Sequence, residues 1–153
     1  MSGEAMSEHV NTVVIGAGQA GLAVSRELGV HGVEHVVLER SRVAQAWRDR
    51  WDSFALVTPN WTMDLPGIPY AGPAPEGHVS RDEIISYLEN YRSTWDAPVR
   101  EGVAVNSLRA ASGSRFELAT SIGRIAADNV VVCTGSFQKP YRPPPAYCRP
   151  GCQ

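Results

Sequence analysis

An α/β fold built on a parallel sheet is what this sequence predicts, and three observations predict it. Val13-Val14-Ile15 is a β-branched run of the kind carried by a strand buried on both faces. Gly16-Ala17-Gly18-Gln19-Ala20-Gly21 follows at once as G-x-G-x-x-G, and Leu22 to Val30 has the composition of a helix. A second strand, Val36-Val37-Leu38, then ends in Glu39. Strand, glycine turn, helix, strand and terminal acid make the dinucleotide-binding fingerprint, so the predicted sheet is Rossmann-like.

Each residue of the fingerprint has a physical reason to be there. Gly16 allows the tight turn, and Gly18 has no side chain to hold a pyrophosphate away from the backbone. Gly21 lets the helix pack closely on the strand. Gln19 and Ala20 open the helix, whose first N–H groups and partial positive charge face the phosphates. Glu39 can accept hydrogen bonds from both hydroxyls of an adenosine ribose, with Arg40 beside it.

The totals narrow the class. A length of 153 residues suits one domain with a real core, and 43% hydrophobic with 20% charged residues is ordinary for a globular protein. The net charge of −2 gives no reason to expect nucleic acid or an anionic membrane surface as a partner. No apolar run approaches a membrane span, and residues 1–9 carry Glu4 and Glu8 without lysine or arginine, so the cytoplasm is the expected location. Cys133 sits in an apolar strand as a small core residue, and Cys148 and Cys152 have no nearby histidine to complete a metal site. No metal is expected.

Along the chain, residues 1–9 are expected to be disordered, 10–142 to form the cofactor-binding domain and 143–153 a proline-rich tail. Val43, Ala44, Ala46, Trp47 and Trp51 fit a short helical turn, and Phe54 to Val57 a brief strand. Thr58 to Val79 holds five prolines and should be irregular, yet Trp61, Met63, Leu65, Ile68 and Tyr70 are apolar enough to pack. Ser80-Arg81-Asp82-Glu83 is a capping box, and Ile84, Leu88, Tyr91 and Trp95 follow at helical spacing as a core stripe. From Val99 the period becomes two. Val103, Val105, Phe116 and Leu118 alternate with polar or small residues, and Gly113 and Gly123 mark turns. This predicts an antiparallel meander across 99–126, followed by a separate buried strand, Val130-Val131-Val132-Cys133, leading into Thr134-Gly135.

With these motifs in place, residues 10–142 resemble the N-terminal part of a flavin-containing monooxygenase. The fingerprint ending in Glu39-Arg40 carries the likeness, and so does Val130-Val131-Val132-Cys133-Thr134-Gly135, with Cys133 where alanine is usual. Trp47-Arg48 and Leu56-Val57-Thr58-Pro59-Asn60 through Leu65-Pro66-Gly67 resemble the family's flavin-side loop, and Tyr141-Arg142-Pro143 its proline-containing exit. The resemblance implies FAD held by the fingerprint and NADPH bound by a separate inserted domain. It also implies oxygen transfer from the reduced flavin to a soft nucleophile such as an amine or sulfide. Gly16, Gly18 and Gly21 would meet the pyrophosphate and Glu39 the ribose. Trp47 would lie by the flavin, Val105 would meet the adenine through its backbone, and Thr134-Gly135 would close the site. Asn60 corresponds to a flavin-facing asparagine of some members, although Pro59 disturbs the match.

Two departures stand out. Gln45-Ala46 replaces the Gly-Gly pair that members carry before the tryptophan, and no second G-x-G-x-x-G provides for NADPH. The expectation is therefore a truncated cofactor-binding portion, inactive alone, with a small-molecule substrate for the complete enzyme. Two alternatives stay open: a nicotinamide-binding reductase domain, which Glu39 disfavours beside a 2′-phosphate, and a non-catalytic nucleotide-binding module. No base or nucleophile stands out. His9, His31 and His35 are expected to be solvated, and His78 is the histidine in the flavin-side loop.

Overall fold

The structure, a computed structural model, describes residues 8–112 and 116–135. Strand β1 (Glu8–Ile15) lies at its centre. Val13 and Val14 are fully buried on opposite faces, in two separate apolar clusters. The strand begins two residues inside the segment expected to be disordered, because Glu8 and His9 pair with Ile125 and Ala126. Helix α1 (Gln19–Val30) crosses to the parallel strand β2 (His35–Glu39) and buries Leu22 and Ser25. His35 departs from the expectation of a solvated ring. The buried Ser25 hydroxyl needs a partner and finds His35 Nε2 at 2.8 Å, while Nδ1 faces the Val33 carbonyl at 2.9 Å.

The short helix α2 (Gln45–Arg48) carries Trp47, as expected. Phe54 to Val57 forms no strand. Ala55 makes an isolated bridge to Ser80, and Val57 is 85% exposed, so the segment has no ladder to join. The long loop does pack. Met63 and Leu65 are buried and Ile68 and Tyr70 lie against the same cluster, whereas Trp61 is exposed. A 3₁₀ turn spans Asn60–Met63. Helix α3 (Arg81–Thr94) starts on the predicted capping box. Glu83 N–H donates to Ser80 Oγ at 3.4 Å, and Ser80 N–H donates to Glu83 Oε2 at 2.9 Å. Its Ile84, Leu88 and Tyr91 are buried.

The meander is placed differently from its prediction. Strand β3 (Val99–Glu101) does not open it but pairs in parallel with β2 at the far edge of the sheet. Helix α3 acts as the crossover that a parallel pair needs, and Ala97 and Val99 pack on the first cluster. The meander proper is β4 (Val105–Ala110), β5 (Phe116–Thr120) and β6 (Gly123–Val132), joined antiparallel. Strand β6 merges the two strands expected after Gly123. Its first half pairs with β5 while most of its length pairs in parallel with β1. The order is therefore β3-β2-β1-β6-β5-β4. Val132 is 59% exposed rather than buried, because β5 ends opposite Ala127. Leu118 and Ile125 close over Val13, Val36 and Leu38 on the second face. The Gly113 turn, Tyr141-Arg142-Pro143 and the 143–153 tail lie outside the described residues.

Candidate cofactor site

Strands β1, β2 and β6 run parallel, and their carboxyl ends meet at Gly16, Glu39 and Cys133. Gly16 N–H donates to the Leu38 carbonyl at 2.8 Å, and Cys133 N–H donates to the Ile15 carbonyl at 2.8 Å. The chain leaves β1 for β2 on one side, while β6 arrives from the far end on the other. This is the topological switch point at which open α/β sheets bind ligands.

The three glycines have different reasons. Gly16 sits at φ +104°, and a Cβ there would lie 2.5 Å from the Cys133 carbonyl oxygen. A Cβ on Gly21 would collide with the Gly16 carbonyl oxygen. Both glycines are demanded by the fold. A Cβ on Gly18 meets nothing within 4 Å, so no protein atom explains its absence. Gly18 is also the N-cap of α1 and offers no side chain to cap the N–H groups of the exposed Gln19 and Ala20. The space in front of Gly18 fits a phosphate held by a helix N-terminus.

Glu39 is 9% exposed. Its Oε2 accepts the Ala17 N–H and its Oε1 the Ser41 N–H, each at 2.9 Å. Each oxygen keeps a further lone pair for a hydroxyl donor. Arg40 next to it is exposed. The segment leading to Val105 is tied to the same edge, since Val103 N–H donates to the Glu39 carbonyl at 2.9 Å and Gly102 N–H to that of Ser41 at 3.1 Å. Val105 itself is half-buried at the start of β4. On the other side, Gly135 is exposed at φ +77° and Thr134 is exposed beside it. Cys133 packs against the first apolar cluster, and burial pushes its thiol above the ordinary value.

A cleft of about 260 Å³ opens past Gln19 at the head of α1, with Trp47, Thr58, Thr62, Met63 and Tyr87 among its walls. Trp47 is held by Phe54, with ring centroids 5.8 Å apart. Asn60 is not aimed at this cleft. It is 2% exposed, donates to the Ala74 carbonyl at 2.8 Å and Tyr70 Oη at 3.2 Å, and accepts the Val79 N–H at 2.6 Å. Its amide clamps the loop, and both of its N–H donors are used there. His78 is exposed, with Nδ1 3.2 Å from the Thr58 carbonyl. Tyr87, which the sequence reading did not single out, anchors the loop through its hydroxyl, which accepts the Leu65 N–H at 2.9 Å and donates to the Ile68 carbonyl at 2.6 Å. A second hollow of about 470 Å³ lies along the C-terminal half of α1, between Ala23 and Val33, away from the glycine turn.

The profile of the pyridine nucleotide-disulphide oxidoreductases matches residues 13–149. The chain belongs to this family. It is 39% identical over 140 residues to a CzcO-like oxidoreductase of Geobacillus kaustophilus, covering 91% of this chain and 40% of that protein. It is 32% identical over 141 residues to an indole-3-pyruvate monooxygenase of Oryza sativa, covering 86% and 33%. Its fold matches the flavin-containing monooxygenase of Stenotrophomonas maltophilia with a TM-score of 0.79 at 30% identity, covering 90% of this chain and 42% of that one. The expected likeness to flavin-containing monooxygenases therefore holds, and this family member spans between one third and about two fifths of the length of those relatives. OTEMO, which shares the fold with a TM-score of 0.73 at 18% identity, has been solved as a complex with FAD and NADP. Among the described residues, no helix is long and apolar enough to cross a membrane.

Proposed function

We propose that this family member is the FAD-binding portion of an NADPH-dependent flavoprotein monooxygenase of the cytoplasm. Gly18 supports this reading most directly, because no protein atom excludes a side chain there and the open space faces the N-terminus of α1, where a pyrophosphate would need it. The other residues fit the same cofactor. Gly16, Gly18 and Gly21 with the N–H groups of Gln19 and Ala20 would hold the pyrophosphate, and Glu39 the ribose. Val105 would border the adenine. Trp47 and the cleft beside it would take the flavin ring and exclude water from one side, with Thr134 and Gly135 opposite. Arg40 would lie outside the pyrophosphate as a solvent-facing cation.

Bound FAD, reduced by NADPH, would supply the chemistry that passes one atom of O₂ to a soft nucleophile such as an amine or sulfide and the other to water. The chain's own contribution is to bind and orient, and none of its side chains moves a proton in this reading. The buried Glu39 disfavours a nicotinamide cofactor with a 2′-phosphate in this site, since two anions would meet there. The partner is a small-molecule substrate, with neither nucleic acid nor membrane. Incubating the purified chain with FAD and removing free cofactor by gel filtration tests the reading. A protein peak carrying the visible flavin band is expected, and a colourless peak after saturating FAD contradicts it.

A further inference from the structure

Two carboxylates stand side by side at the carboxyl edge of the sheet, and one of them has no role so far. Glu39 and Glu101 are register partners where β2 pairs with β3. Glu101 Oε1 accepts the Val43 backbone N–H at 2.8 Å. The next residue, Ala44, donates its N–H to the Ala17 carbonyl at 3.3 Å, and Ala17 N–H donates in turn to Glu39 Oε2. Arg48 Nε closes the same turn by donating to the Val43 carbonyl at 3.2 Å. Val43 and Ala44 are each 1% exposed, so in the intact chain the Glu101 carboxylate, itself exposed on its outer side, is the acceptor that satisfies the Val43 N–H.

Ala44 also sits at φ +61°, a left-handed conformation that an alanine holds only when its surroundings impose it. It is the N-cap of α2, so whatever fixes Ala44 fixes the direction of α2 and of Trp47. Arg92 Nη1 stands 3.8 Å from Glu101 Oε1, a distance too long for a hydrogen bond, which leaves the Val43 N–H as the short contact of that oxygen.

We infer that Glu101 is a positioning residue for the cofactor: it holds the 43–44 turn so that α2 presents Trp47 to the flavin beside the glycine turn, a role that rests on the FAD reading above. Glu39 grips the ribose, whereas Glu101 acts through α2 on the flavin half alone. The consequence is a split between ligands that contain the flavin and ligands that do not.

Titrations of the chain with FAD and with ADP, followed by calorimetry, read that split. Glu101→Ala should weaken FAD about tenfold and leave ADP within about twofold. Glu101→Asp, one methylene short of Val43, should lose FAD in the same way. Glu101→Gln keeps an oxygen that accepts the same N–H and should bind FAD within about twofold of the unsubstituted chain. Equal losses for FAD and ADP in Glu101→Ala and Glu101→Asp, or no loss for either ligand, would overturn the role. So would a Glu101→Gln as weak as Glu101→Ala. An unsubstituted chain that binds ADP but no FAD would overturn the FAD reading itself, and this role with it.

Discussion

The three glycines of the turn separate what the fold needs from what the ligand needs. Gly18→Val should abolish FAD binding while the chain stays folded, because no protein atom lies within 4 Å of the new Cβ and the branches enter the space in front of α1. Gly21→Ala should do the reverse. Its methyl would strike the backbone oxygen of Gly16, which cannot swing aside, and a loss of more than about 2 kcal/mol of folding stability is expected. Circular-dichroism melts beside flavin-fluorescence titrations check both. The fold roles of Gly16 and Gly21 were legible in the sequence because G-x-G-x-x-G after a strand fixes the tight turn and the close helix packing. Asn60 was not. Its residue type matched a flavin-facing asparagine, but three contacts within its own loop, from Tyr70 to Val79, use its amide. Ala44 was invisible as well, since nothing in an alanine announces a positive φ.

At the scale of elements, the local helix signals were read correctly, whereas the brief strand at Phe54–Val57 and the non-local pairing were not. Ser80 and Glu83 announce a helix start by themselves, and α3 begins there. Val99 and Val103 look alike in sequence, yet one joins β2 at the sheet's edge and the other lies before the meander. The small and polar run Ala126-Ala127-Asp128-Asn129 interrupts the apolar pattern, which is why one strand read as two. Ser80→Ala should cost about 1 kcal/mol near neutral pH. The backbone N–H of Ser80, and then its hydroxyl, hold the Glu83 carboxyl below its ordinary value. A depressed carboxyl contributes stability above its unfolded value and loses it as pH falls through the folded one. The penalty of Ser80→Ala, measured by urea denaturation, should therefore shrink in acid. Asn60→Ala removes three hydrogen bonds from a buried site and should cost about 2–3 kcal/mol. Limited proteolysis should then cut between Thr58 and Val79 where the unsubstituted chain resists.

At the scale of the whole molecule, one dinucleotide fingerprint is present, and it is assigned to FAD. Hydride transfer needs the nicotinamide held about 3–3.5 Å from the flavin. Without a second fingerprint NADPH meets the flavin only by collision, so the FAD-loaded chain of 153 residues should oxidise NADPH no faster than free FAD. Absorbance at the nicotinamide band follows this directly, and steady consumption by the loaded chain would place a nicotinamide site within it. The central claim is more basic: the turn between β1 and α1, with Glu39 at the end of β2, is an FAD site. Parallel titrations with FAD and NADP, on the unsubstituted chain and on Glu39→Ala, test it most directly. FAD should bind more tightly than NADP, and Glu39→Ala should lose about 1.5–3 kcal/mol of FAD affinity, the scale of charge-assisted hydrogen bonds. Tighter binding of NADP, or an FAD affinity unchanged by Glu39→Ala, would contradict the account.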